Sequence, residues 1–158
     1  MSSRSWFALL LTIALLFTAQ PIIAQSETVS SDVVKITPLG SHEGEFCRLD
    51  RALILEDPNG LRILYDVGRT VAGADDPRLG EIDVVLLSHV HGDHLGDRRI
   101  AAVNAGTCAQ PQTDVSTIPN SNSAEIAVEK GANIIVGSEM SRFLANKVEG
   151  LGGDPASV

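Results

Sequence analysis

Basic residues are in short supply: 12 Lys and Arg stand against 20 Asp and Glu, giving a formal net charge of −8. Such a chain repels phosphate backbones at long range and lacks the basic footprint from which nucleic-acid binding draws its affinity. No nucleic acid is expected among the partners, and solubility is the simpler role for the charge. Long apolar runs are missing too. The one candidate, "WFALLLTIALLFTA" after Arg4, falls short of the ~20 apolar residues that a membrane-spanning helix requires. It reads instead as a secretory signal peptide over residues 1–24, with Ala24 at the cleavage point and Ile22 as a poor partner for it; an uncleaved anchor is the other reading. No cysteine follows the run, which excludes a lipoprotein, and no stable membrane partner is expected beyond export. Losing Arg4 with that segment leaves an exported chain, periplasmic or secreted, one charge more acidic.

Cysteine is limited to Cys47 and Cys108. An oxidising compartment lets two thiols pair, so a disulfide and two separately buried cysteines both stay open. The absence of a Cys-x-x-Cys pair counts against a metal-thiolate role.

What remains is one domain's worth of chain, apolar enough to bury a core. After a polar leader over 25–32, the folded part is expected over 33–158. "VVKITPLG" reads as a strand stopped by Pro38 and Gly40. "RALILEDPNGLRILYDVG" holds two β-prone runs around Asp57, Pro58, Asn59 and Gly60, a hairpin signature. "IDVVLLSH" is apolar without alternation, as expected of a central strand covered on both faces. A short helix is expected in "GDRRIAAV", and then a long polar loop over 104–122, either a functional lid or disordered. "SAEIAVEKG" predicts a helix with Asn122 or Ser123 as N-cap and Gly131 as its stop, followed by the strand "NIIVG". A last helix begins near Ser138, with Met140, Phe143, Leu144 and Val148 as its core-facing stripe. Hairpins followed by alternating strands and helices define an α+β class, a sheet with helices on a face.

Three of the four histidines fall within "SHVHGDHL", from Ser88 to Leu95. In an extended segment His89 and His91 point the same way and can offer two nitrogens to one ion. A turn at Gly92 re-aims Asp93 and His94 toward a neighbouring position. Zinc suits this donor set best, one or two ions, with iron or manganese as alternatives. Singly, each histidine would read as a surface residue; together with Asp93 at the end of a buried strand they read as a metal site.

"HVHGDH" resembles the His-x-His-x-Asp-His motif of the metallo-β-lactamase fold hydrolases. The likeness extends to "LGSHEGEF" near Leu39, to "ILYDVGR" around Asp66 and to the strand before His89. It is firm over about Val33 to Asp97, looser beyond, and closest to the bacterial metal-dependent hydrolases rather than the antibiotic-degrading enzymes. The resemblance implies an αββα sandwich with one or two metal ions at its upper edge. It also implies a metal-bound hydroxide that cleaves an ester, lactone, amide, thioester or phosphodiester in a small-molecule substrate. His89 and His91 would hold the first metal, His94 and Asp93 the second, with Asp93 also the catalytic residue that orients water and shuttles its proton. Asp66 would sit behind a ligand histidine and fix its tautomer; a strand-end turn with Gly68 explains it equally. His42 lies in a Gly-flanked loop that the resemblance places near the site, touching substrate or metal, with a solvated loop histidine as the other reading.

One departure matters. The family supplies a third histidine for the first metal, a bridging aspartate and a last histidine after this segment, and here no histidine follows His94. Asp114, Asp154, Glu125, Glu129, Glu139 and Glu149 stand in no matching context. The chain therefore reads as roughly the N-terminal half of such a sandwich, a fragment with one apolar sheet face left unpartnered. Two functions stay open: a metal-dependent hydrolase, or a catalytically incomplete exported protein that binds metal weakly. A binding module using the loop over 104–122 has only loop length in its favour.

Overall fold

Asp57 shows why the chain reverses where it does. Its Oδ1 accepts from the N–H of Asn59 at 2.9 Å and of Leu61 at 2.7 Å, while Gly60 takes φ +89°, open to glycine at little cost. The turn joins β2 (Leu53–Glu56) to β3 (Arg62–Tyr65) as the antiparallel hairpin expected from sequence. The computed structural model describes residues 32–40 and 47–158. The expected secretory signal, all but the last residue of the expected polar leader, and His42 lie outside the described residues.

Around that hairpin, β1 (Lys35–Pro38) pairs antiparallel with β2, β4 (Val84–Leu86) parallel with β3, and β7 (Asn133–Ile135) parallel with β4. The sheet is thus mixed, with order β1-β2-β3-β4-β7 and β4 in its interior, but only one face of β4 is covered: Val85 is buried, whereas Val84 and Leu86 are half-buried, contrary to the expectation of cover on both faces. Between β4 and β7 the chain forms α1 (Gly92–Leu95), a small ribbon of β5 (Arg98–Arg99) and β6 (Val115–Ser116), and α2 (Asn122–Lys130). α3 (Ser138–Gly150) follows β7. The described residues are therefore mixed α and β, with a mixed sheet and three α-helices.

Register decides which face of the sheet is covered. Ile54, Leu64, Val85 and Ile134 lie in one row across four strands, all buried, and share a core with Ala124, Ile126 and Ala127 of α2 and Leu144 and Val148 of α3. Each such side chain contributes about 2 kcal/mol through lost contact with water. The adjacent rows point the other way: Ile36, Leu55, Ile63 and Val84, then Pro38, Leu53, Tyr65, Leu86 and Ile135. None of these is fully buried, and Ile36 and Ile135 are 59% and 55% exposed. The sheet thus presents one packed face and one open apolar face.

Four local expectations need correction. The helix expected in "GDRRIAAV" lies earlier, over Gly92–Leu95, and Arg98–Arg99 is strand, since Arg98 and Arg99 pair with Ser116 and Val115. The N-cap of α2 is Ser121, whose extended backbone (φ −163°, ψ 152°) lets its hydroxyl accept from the Ala124 N–H. Asn122 and Ser123 are inside the helix because their side chains donate to other segments, to Val71 O at 2.9 Å and to Leu95 O at 2.7 Å. The loop over 104–122 is neither open lid nor formless: it carries β6, a bridge between Gly106 and Pro111, and a Cys47–Cys108 disulfide with Cα atoms 5.1 Å apart. On α3 the buried positions are Leu144 and Val148, one i,i+4 row, whereas Phe143 is 45% exposed with the Lys147 ammonium 4.7 Å from its ring centre.

Buried acids tie the loops to this frame. Asp76 accepts from the Ala72 N–H at 2.9 Å and from Arg78 Nη2 at 2.6 Å, while Arg78 Nη1 reaches Gly40 O at 2.6 Å. Burial works to raise the Asp76 carboxyl, but the hydrogen bonds from Arg78 and the Ala72 N–H outweigh it and hold the group below the usual carboxylate range. Asp97 is held low first by its hydrogen bonds from Arg69. A depressed folded-state pKa stabilises above the unfolded value near 3.9, and that stability disappears as pH falls through the folded value. Urea unfolding followed against pH should accordingly be flat above about pH 5 and drop steeply below about pH 4. Asp76→Asn should flatten that drop; an unchanged acid limb would contradict the assignment.

Candidate metal-binding site

β3 and β4 run parallel and end side by side at Tyr65 and Leu86, so the residues leaving them emerge together. Asp66 is 1% exposed and sits at φ +43°, a left-handed backbone that Asp and Asn adopt more readily than other non-glycine residues. From there its Oδ1 accepts from the Ser88 N–H at 2.9 Å, and its Oδ2 lies 2.7 Å from both Ser88 Oγ and His94 Nδ1. Asp66 thus stands directly behind His94 and beside Ser88.

The carboxylate orders the protons around it. Burial acts to raise the Asp66 carboxyl, but hydrogen bonds from the Ser88 N–H, His94 and Ser88 Oγ, with the charge on His94, outweigh burial and hold it low. An ionised carboxylate only accepts, so both Ser88 Oγ and His94 Nδ1 donate to it. Ser88 Oγ also lies 2.9 Å from His89 Nδ1 and 3.3 Å from His94 Nδ1. A neutral imidazole that donates from Nδ1 keeps its lone pair on Nε2, the nitrogen a metal ion would use.

Local structure folds these rings toward each other. His91 ends the extended stretch, and α1 begins at Gly92, returning His94 so that its ring centre lies 4.0 Å from that of His89. His91 lies edge-on to His89 at 4.6 Å. Gly92 serves this turn through lack of bulk: a Cβ there would collide with the Asp97 carboxylate, which Arg69 grips bidentately at 2.8 and 2.9 Å. Gly96 ends α1 at φ +78°, and a Cβ there would come 2.5 Å from the Asn122 Cβ and 2.6 Å from Gly68 O. The Gly68 N–H in turn donates to His94 O at 2.8 Å, which clamps the motif to the strand end of β3.

Asp93 lies between Arg51 and His94. Its Oδ2 is 3.4 Å from the Arg51 guanidinium and 3.6 Å from His94 Nε2. His89, His91 and His94 are therefore brought together, with Asp66 behind His94, while Asp93 stands at the edge in an ion pair. Among the described residues, no three His, Cys, Asp or Glu are arranged to hold a metal ion. Imidazole donors suit zinc, but the shell is not assembled. The disulfide removes both thiolates from consideration as ligands. Glu125 and Glu129 line a separate cleft of about 390 Å³ with Asp75 and Arg99, away from the histidines.

No family model, curated protein or solved structure matches the chain.

Two contributors escaped the sequence reading. Ser88, the first residue of the quoted octapeptide, links Asp66 to His89 by short contacts, and its position directly between a buried strand and a histidine was the available signal. Arg51 had none, since its partner lies in another segment of the chain.

Proposed function

We propose that this protein binds a divalent metal, zinc by preference, at His89, His91 and His94 with Asp93 joining the shell, and acts as a metal-dependent hydrolase on a small ester, lactone, amide or phosphodiester. The observation that carries the reading is the relay Asp66–Ser88–His89 together with Asp66–His94. It turns both Nδ1 atoms inward, toward Ser88 and Asp66, and would leave Nε2 as the ligating nitrogen on rings 4.0 Å apart. A carboxylate or hydroxyl behind a ligating imidazole is the usual support of a metal site. A bound divalent ion lowers the pKa of water to about 7 and polarises the substrate oxygen. Asp66 and Ser88 would orient the ligand imidazoles, and Asp93, released from Arg51, would be the carboxylate placed to take a proton from water.

The finer fold proposed is the αββα metallo-β-lactamase-like sandwich, represented by one sheet and its helices. It is supported by the "HVHGDH" motif at the end of a parallel strand pair and by the open apolar sheet face opposite the helices. Export is supported by the disulfide, which persists in oxidising compartments. The lack of a closed ligand shell among the described residues favours a second reading, a chain that binds metal weakly and does not turn over substrate.

Chelator-stripped protein titrated with Zn²⁺ should take up about one ion per chain, with His94→Ala weakening uptake by about 100-fold or more. A panel of lactone, ester and phosphodiester substrates on the zinc-loaded protein, with His91→Ala as control, then separates the two readings. Equal zinc uptake by wild type and His94→Ala would sink both.

A further inference from the structure

We propose that the cleft beside His94 binds a substrate carrying a free carboxylate on a short apolar body, and that Arg51 holds the carboxylate. The proposal rests on the metal-site reading and names the substrate class for that site. The cleft, of about 280 Å³, is lined by Pro38, Ala52, Leu53 and Tyr65, with Asp50, Arg51, Asp66 and His94 among the polar groups. Its volume lies at the small end of the range for ligand sites, which suits a compact molecule.

Charge narrows the ligand further. Asp66 is committed to Ser88 and His94, and Asp50 accepts from the Cys47 N–H at 2.7 Å, so these carboxylates disfavour a dianion. Arg51 is the cation lining the cleft. Its Nη1 is anchored to Arg48 O at 3.1 Å and Asp50 O at 3.2 Å, which fixes the guanidinium and leaves Nη2 facing Asp93 at 3.4 Å. That pair is long, and the side chains are 35% and 30% exposed, so solvent screens it and it yields easily. Were Asp93 to turn to a metal ion, Nη2 would lose its partner, and a planar guanidinium is well matched to a carboxylate. Metal and carboxylate would therefore bind cooperatively, because each relieves the other's competitor for Asp93 or Arg51.

The full chain titrated with hexanoate, and with hexanamide as the uncharged control, tests this by calorimetry and amide chemical shifts. The zinc-loaded protein should bind hexanoate with shifts at Leu53 and Tyr65, and Arg51→Gln should weaken hexanoate by about tenfold while leaving hexanamide unchanged. Metal-free Asp93→Asn, which releases Arg51 without zinc, should bind hexanoate about threefold or more tighter than the metal-free wild type. This variant tests the same slot should Arg51→Gln fail to fold. Zinc uptake with hexanoate binding indifferent to Arg51 would overturn the carboxylate site alone, as would equal loss of hexanoate and hexanamide. No zinc uptake, with Asp93→Asn still gaining hexanoate affinity, would support the carboxylate site and overturn the metal reading.

Discussion

Asp66→Ala should lower the free energy of unfolding by about 2–4 kcal/mol and weaken zinc binding by about 10- to 100-fold. The stability loss has two sources. Asp66 is 1% exposed and accepts from the Ser88 N–H, Ser88 Oγ and His94 Nδ1, so its removal leaves three part-buried partners without their acceptor. Alanine must also hold the φ of +43° that aspartate adopts more readily, a strain of about 1 kcal/mol. Asp66→Asn separates the terms, since asparagine tolerates that backbone but cannot accept with both terminal atoms. It should recover most of the stability while zinc affinity stays at least about tenfold down, because the His94 tautomer is no longer dictated. Urea unfolding and zinc titration on both variants decide the matter. An alanine variant within about 0.5 kcal/mol of wild type would show that the relay is not formed in solution.

Breaking the disulfide should cost about 4 kcal/mol. Cys47 and Cys108 are 61 residues apart in sequence, and cross-linking a segment of that length removes about this much free energy of loop closure from the unfolded chain. The effect should also reach the candidate site. Cys47 begins the turn in which the Asp50 carboxylate accepts from the Cys47 N–H, and Arg51 follows directly to pair with Asp93. The double variant Cys47→Ser/Cys108→Ser is therefore expected to unfold at lower urea concentration and to exchange amide hydrogens faster over 47–51 and 105–111, with β2–β4 protected as before. A change under about 1 kcal/mol would mean that the two segments stay close in the unfolded chain without the bond.

The hairpin was legible because everything it needs is local: Asp57 bonds to residues two and four positions on, and Gly60 takes a backbone other residues resist. The interior strand around Val85 was legible from its unbroken apolar run, and the stop at Gly131 from its φ of +65°. Misreadings occurred where a polar side chain had two uses. Asn122 and Ser123 look like caps by type, but Val71 O and Leu95 O lie across the fold and claim their side chains, leaving the cap to Ser121. Phe143 looks like core by type, but its place on α3 lies off the row of Leu144 and Val148.

At the site, the sequence alone determined which imidazoles cluster, because His89, His91 and His94 share a few residues after a strand and any compact path brings them near each other. Tertiary structure alone decided what those imidazoles can do. The Asp66–Ser88 relay joins strand ends 22 residues apart, Arg51 reaches Asp93 across the sheet end, and the disulfide spans 61 residues. Periodicity and turn chemistry act over a few residues, whereas tautomers, ion pairs and cross-links depend on which distant segments the buried core brings into contact.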